Sequence, residues 1–374
     1  LRLSSLVFIV FAAYFFIANV SASIMALFPG GSGSPSYVFI LLIIGLAWGV
    51  KKFSIFMPIR IYVILATLLC SLLISQVIHQ GSLKLILYFI FSFSVAALLT
   101  KEVVLKFYNF LRWFVLIFSI PVIVSCLLYY AGGGEQVNIL KSLIVQKQEI
   151  TMLFSIYLGF FVYQYGLRNV LFLDYVCLFL AFIISFLVGI KSIVFIAFGL
   201  YFLIPNRSKT ERLSVITLSL CFCVYMLADN VILAPIFGTE HLFSTYDLRK
   251  LDTFYVRVFL FEENFRVLIS DVSNTLFGYG YNPVEGLVYK SETTWFSQEM
   301  SNVYESGVLY IIANSGVSGF MLFSIVFYCS IKNNKSLSAF IFISLLLSNI
   351  FQDNMNSIFW LFLGFALYEK YPKN

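Results

Sequence analysis

The chain has 374 residues, of which 61% are hydrophobic, 19% aromatic and only 11% charged, with a formal net charge of +6. A soluble domain is about 45–50% apolar and about 25% charged, so a soluble globular enzyme is excluded, and the aromatic content excludes a disordered chain. The six cysteines, Cys70, Cys126, Cys177, Cys221, Cys223 and Cys329, all fall inside apolar runs and read as small core hydrophobes, not as a disulfide scaffold.

What remains is an all-α, polytopic membrane protein. A span needs about 20 mainly apolar residues. Twelve candidates follow in order: 5–28, 36–50, 61–79, 84–100, 108–130, 151–167, 170–189, 192–205, 213–229, 306–328, 337–350 and 356–369. The first run is too long for a signal-peptide core and lacks a small-residue cleavage pattern, so no cleavable signal peptide is expected.

Lysine and arginine placement sets the orientation. With both termini cytoplasmic, the inner side receives Arg2, Lys51, Lys52, Arg60, Lys101, Lys106, Arg112, Arg168, Arg207, Lys209, Arg212, Lys332, Lys335, Lys370 and Lys373. These are 15 of the 24 basic residues. The chain then divides into spans one to nine (1–229), a large outer loop with helical segments (230–305) and spans ten to twelve (306–374). The loop holds 10 of the 18 acids and five bases, Arg249, Lys250, Arg257, Arg266 and Lys290. The positive total is therefore an inner-face bias and carries no implication of nucleic-acid binding.

Charged residues that the membrane or an apolar stripe would disfavour are the candidate site. Lys191 stands in the hairpin Gly189-Ile190-Lys191-Ser192 between two spans, with no acid within ten residues. It is either a snorkelling anchor or a cation for an anionic headgroup. Arg257 belongs to the helical stretch 253–272. At 100° per residue it falls among Leu260, Phe261, Phe265 and Leu268, opposite Glu262, Glu263, Arg266 and Ser270. An arginine in such a stripe is either paired or aimed at a ligand. Arg266 has Glu262 four residues earlier, which makes a surface ion pair the plainer reading; facing a ligand, both guanidiniums would suit phosphate oxygens.

Downstream lie the glycine-aromatic turn Leu276-Phe277-Gly278-Tyr279-Gly280, the stretch Ser301-Asn302-Val303-Tyr304-Glu305, and Gly316 with Gly319 in span ten. The two glycines permit close helix packing. Glu305, at the mouth of that span, is either a solvated carboxylate or a base. Lesser candidates are Lys141 and Lys147 in the outer loop 131–150, His241, and Asp353 in the turn 351–356, which lines a cavity or caps helices. Asp174 and Arg168 are placed to pair near the inner face. His79 and His241, the only two histidines, have no ligand-spaced partner, so no metal site is expected. No phosphate-binding glycine loop or dinucleotide fingerprint occurs.

In this order, over about residues 170–369, these features resemble the bacterial O-antigen polymerases (Wzy type) and the related O-antigen ligases. The elements are the basic hairpin at Lys191, a large outer loop opening with Arg257, the 276–280 turn, Asn302-Val303-Tyr304-Glu305, and a span carrying Gly316 and Gly319. Relatives often have arginine where Lys191 stands. Ligases commonly carry a histidine where the loop meets the next span, and none occurs between His241 and the C-terminus, which favours the polymerase.

The resemblance implies a glycosyltransferase of lipopolysaccharide biosynthesis at the outer face of the bacterial inner membrane. It joins oligosaccharide repeat units carried on undecaprenyl pyrophosphate, which serve as both donor and acceptor. It also implies a separate chain-length regulator as partner. Because the donor is already activated, no cofactor is expected. Lys191 and Arg257 would stabilise the leaving pyrophosphate. Glu305 would serve the acceptor hydroxyl, with His241 and Asp353 as further candidates, and Arg266, Asn302, Tyr304, Lys141 and Lys147 would contact substrate. A ligase and a flippase for lipid-linked oligosaccharides are the competing readings. A flippase would place its ionisable residues nearer the bilayer midplane.

Overall fold

A computed structural model of the chain describes residues 3–27, 36–50, 57–79, 83–132, 147–167, 169–188, 196, 210, 213, 217, 245–280, 287–290, 297–299, 306–351 and 356–371. Among the described residues, seven helices precede the large loop: α1 (Leu3–Leu27), α2 (Ser36–Val50), α3 (Ile59–His79), α4 (Leu83–Leu98), α5 (Lys101–Ala131), α6 (Lys147–Gly166) and α7 (Phe172–Val188). The loop contributes α8 (Thr245–Ile269) and the short α9 (Val272–Phe277). It also contributes an antiparallel hairpin, β1 (Val288–Lys290) with β2 (Ser297–Glu299), which the helical reading of the loop did not anticipate. Three helices close the chain: α10 (Gly307–Ile331), α11 (Leu337–Phe351) and α12 (Ser357–Lys370).

Ten of the twelve expected segments thus coincide with helices. The other two, 192–205 and 213–229, fall almost wholly outside the described residues. Among the described residues three helices are long and apolar enough to cross a membrane: α3, α5 as far as Tyr129, and α10; six further apolar helical stretches are shorter. This pattern marks the chain as a membrane-associated helical protein.

Two compact units form. The first comprises Leu1–Cys70, Leu83–Ile204 and Met321–Asn374; the second comprises Ser71–Ser82 and Pro205–Phe320.

In the first unit α12 is apolar around its whole circumference, and Ser357 to Leu367 are all buried, as expected of a helix surrounded by others. Its start is capped by Asn356, whose side chain accepts from Ile358 N and Phe359 N, so the polar turn before α12 includes a cap. Phe15 of α1 packs edge-on against Phe107 and Phe114 of α5 and Phe362 of α12, an arrangement aromatic pairs prefer.

Helices of this composition gain little from burying one apolar face against another in lipid, so close approach relies on small residues. A Cβ at Gly159 of α6 would lie 2.7 Å from Ile341 Cα of α11, and one at Gly364 of α12 would lie 2.5 Å from Ser92 O of α4. Both glycines are packing sites. The cysteine reading divides: Cys126 and Cys177 are buried, Cys70 is exposed and Cys329 is intermediate, and all four are free thiols.

The expected pairing of Asp174 with Arg168 involves a residue that lies outside the described ones, but the structure shows a partner for Asp174 that the sequence reading did not name. Asp174 of α7, fully buried, pairs with Arg112 of α5. Arg112 Nε lies 2.7 Å from Oδ1, near enough for an ion pair but not aligned as a hydrogen bond, while its NH2 group donates to Oδ2 at 3.3 Å. Tyr157 Oη donates to Oδ1 at 3.2 Å and Leu171 N to Oδ2 at 2.9 Å. The guanidinium lies 5.1 Å from the centre of the Phe160 ring. The sequence order hid this pair, because its partners are 62 residues apart.

Removing one member of a buried pair leaves the other uncompensated, at a cost of about 3–5 kcal/mol. Asp174→Ala should therefore lower the thermal midpoint of the detergent-purified protein sharply. The double variant Arg112→Met/Asp174→Leu should recover most of that loss. Equal loss in both variants would mean that the charges are not what Asp174 contributes.

Candidate functional site

The second unit is organised around a break in α10. Gly316, nine residues into the helix and so about 14 Å along it, has φ 65° and ψ −171°. That conformation is open to glycine and strained for other residues. It interrupts the helical ladder, and the carbonyls before the break take other partners. Ala313 O accepts from Tyr279 N and Gly280 N, both at 2.9 Å. Asn314 O accepts from Ser75 Oγ of α3 at 2.7 Å.

The donors come from the glycine-aromatic turn that follows α9. Asp271 caps α9, accepting from Ser273 N at 3.0 Å. Gly278 ends it with φ 83°, and Gly280 follows with φ 75°. A Cβ on Gly278 would run into the backbone of Ala313 and Ser315; one on Gly316 would run into the backbone of Leu276 and Phe277. The two glycine motifs therefore fit into each other. Ser318 Oγ adds a hydrogen bond to Leu276 O.

Tyr279 extends the junction to α8. Its ring is 1% exposed and packs with Leu268, Leu309 and Ala313. Its hydroxyl donates to Asn264 Oδ1, and Asn264 Nδ2 donates to Leu260 O at 2.7 Å. The buried face of α8 is thus Val256, Leu260, Asn264 and Leu268, a row at four-residue spacing.

This corrects the apolar stripe read from the sequence. Leu260 and Leu268 are buried, but Phe261 and Phe265 are exposed, at 47% and 61%. With Val258, Ile269, Val272 and Leu276 they form an exposed apolar edge along α8 and α9. Arg266 is a surface residue, as its plainer reading held, but its partner is Glu263 at i−3 and not Glu262 at i−4. Arg257 belongs to α8 and Lys147 opens α6; their side chains lie outside the described residues, as do Lys141, Lys191, His241, Asn302, Tyr304, Glu305 and Asp353.

Sequence reasoning found both glycine motifs but not their contact. It missed Asn264, Asn314 and Ser75, and it gave Tyr279 and Ser318, which stand in those motifs, no role of their own. A signal for them existed: Ser71 and Ser75 stand four apart in an apolar span, as Asn314 and Ser318 do in another. Ser71 Oγ and Ser318 Oγ lie 3.5 Å apart. Together with Ser75 and Asn314 they form a polar seam along which α3 and α10 run antiparallel.

In the first unit, Ala47, Trp48, Tyr62, Leu65, Phe89 and Phe93 help to line an open apolar cavity of 460 Å³. Its walls suit a hydrocarbon chain.

The interlocked glycines generate a sharp expectation. Gly278→Ala and Gly316→Ala should each lower the thermal midpoint and expose the loop to limited proteolysis. Gly45→Ala should do neither, because a Cβ there meets nothing within 4 Å. Three indistinguishable digests would contradict the junction.

Compared with known proteins, the chain matches no family model and no curated sequence.

Proposed function

We propose that this chain is an O-antigen polymerase of the inner membrane, with about twelve spans and an active site facing outward. The single observation that carries the reading is the broken helix α10 clasped by the turn of a large loop. Irregular backbone within an apolar, membrane-length helix is tolerated only where protein or an aqueous cavity surrounds it, and broken helices of this kind recur at substrate sites. The antiparallel seam between α3 and α10 is the relative direction expected of an odd and an even span, whichever side of the membrane the termini face.

In this reading the acceptor hydroxyl oxygen attacks the anomeric carbon of the donor. The bond from that carbon to the pyrophosphate oxygen breaks, and undecaprenyl pyrophosphate leaves with the bonding electrons. Lys191 and Arg257 stabilise the charge that develops on the leaving group. Glu305 takes the acceptor proton. The lipid tail needs an apolar lateral path between helices, and no cytoplasmic nucleotide takes part.

A lipopolysaccharide gel tests this. A null strain should show core bearing a single repeat unit, and the wild-type gene should restore the ladder. Lys191→Ala and Arg257→Ala should restore nothing while still inserting in the membrane. Lys191→Arg should restore part of the ladder. Glu305→Gln should slow polymerisation without loss of lipid-linked substrate binding. A full ladder from either alanine variant would remove that residue from the mechanism. Bare core in the null strain, with long polymer held on the carrier, would mean a ligase.

A further inference from the structure

Along α8 and α9 six large apolar side chains stand exposed: Val258, Phe261, Phe265, Ile269, Val272 and Leu276. The four on α8 fall within an arc of about 80°, taking 100° per residue. On one side of that arc runs the buried row through Asn264; on the other stand Glu262 and Arg266. The helix thus has three faces: one packed on protein, one apolar and covered by no described residue, and one charged. An exposed apolar run of this kind marks an interaction surface. What covers it follows from where the α8–α9 corner is held.

The clasp on α10 fixes a depth. α10 has 25 residues and so is about 37 Å long, against about 30 Å of hydrocarbon in a bilayer. A helix of that length that crosses the bilayer stands outside the hydrocarbon by at most about 7 Å at its start. Gly316 is about 14 Å along, which leaves it at least about 7 Å inside. Leu276 is held at the same level. A Cβ on Gly316 would run into the Leu276 backbone, and the Leu276 carbonyl accepts from Ser318 Oγ. The exposed side chain of Leu276 is then in hydrocarbon and not in water.

The corner between the two helices suits that setting. The last carbonyls of a helix have no partner within it. Here side chains of the corner supply the donors. Ser270 Oγ donates to Val267 O at 2.7 Å, Asn274 Nδ2 to the same oxygen at 3.2 Å, and Thr275 Oγ1 to Leu268 O at 2.8 Å. Hydrocarbon demands such internal satisfaction of the backbone. Asp271 sets the limit of entry, because a carboxylate is costly there. It stands five residues before Leu276, about 8 Å along α9, so a steep α9 brings it out to the boundary.

We propose that the α8–α9 corner is re-entrant: it dips into the leaflet that holds the start of α10, with its apolar edge against acyl chains. The partner of this surface is the bilayer lipid itself. The proposal rests on α10 crossing the membrane, as the polymerase reading has it. It makes the large loop an element seated in the membrane surface. In that reading it also keeps α8, which carries Arg257, beside the boundary where the pyrophosphate of a lipid-linked donor lies.

Two labels applied to the unmodified full chain in lipid nanodiscs test this, with adducts located by mass spectrometry. Hydroxyl radicals made in the water report wetted side chains. An apolar aryl diazirine dissolved in the lipid, photolysed to a carbene, reports side chains that face hydrocarbon. Phe261, Phe265 and Val272 should take the carbene. The two phenylalanines should react with the radicals about tenfold or more slowly than in the urea-unfolded chain, since water is absent from hydrocarbon.

Fast radical labelling of both phenylalanines without carbene adducts would overturn the proposal and leave the edge in water. Protection from both labels would also overturn it, and would assign the edge to a protein contact. Met321, 14 residues into α10 and 62% exposed, tells this failure from that of the span. Carbene on Met321 with a wetted edge would keep α10 as a span and overturn the entry of the corner alone. Rapid radical oxidation of Met321 with no carbene adduct would overturn the span itself.

Discussion

The second unit depends on satisfying a broken helix. Once Gly316 leaves the helical conformation, nearby backbone carbonyls of α10 need donors from elsewhere. In an apolar setting an unpaired carbonyl is costly, so the break persists only if other elements supply those donors. The turn at Tyr279 and Gly280 supplies two of them and Ser75 a third. From these few bonds the rest follows: α9 is held against α10, Tyr279 is buried, its hydroxyl holds Asn264, and α8 is set with a defined buried face. Arg257 is carried on that helix, seven residues before Asn264.

The first unit solves a different problem by different means. Its helices are apolar on nearly every side, so binary patterning does little to orient them. Position is set instead by small residues where backbones meet, by stacked aromatic rings and by a few buried polar contacts. Arg112 with Asp174 is one of these; Tyr108 with Ser338 is another. An exposed edge of α8 and α9, from Val258 to Leu276, is the one place in the loop's helices where large apolar side chains run on without cover among the described residues.

How much of this was legible depends on what kind of signal carries it. Helix existence was, because twenty apolar residues in a row leave few alternatives; ten segments were found with boundaries within a few residues, except that α5 begins at Lys101 and not at 108. There, Glu102 and Lys106 form an exposed i,i+4 pair that extends the helix into polar sequence. Pairings across the chain were not legible. Nothing local says that Asp174 meets Arg112, or that Gly278 meets the backbone beside Gly316. Periodicity placed Arg257 in an apolar stripe but could not say which half of the stripe is buried; Asn264, polar and central to the buried face, falls on that stripe by the same spacing but was passed over because only its apolar neighbours were read. The seam serines escaped notice for a related reason: isolated serines in an apolar span carry no charge to draw attention, and only their spacing marks them.

The account stands or falls on whether the protein itself makes a glycosidic bond. Purified protein in liposomes, given lipid-linked repeat unit and no nucleotide, should yield a ladder of longer glycans and release undecaprenyl pyrophosphate in proportion to the bonds formed. Transfer of intact repeat unit from one leaflet to the other, with no lengthening and no pyrophosphate release, would contradict it and make the chain a transporter.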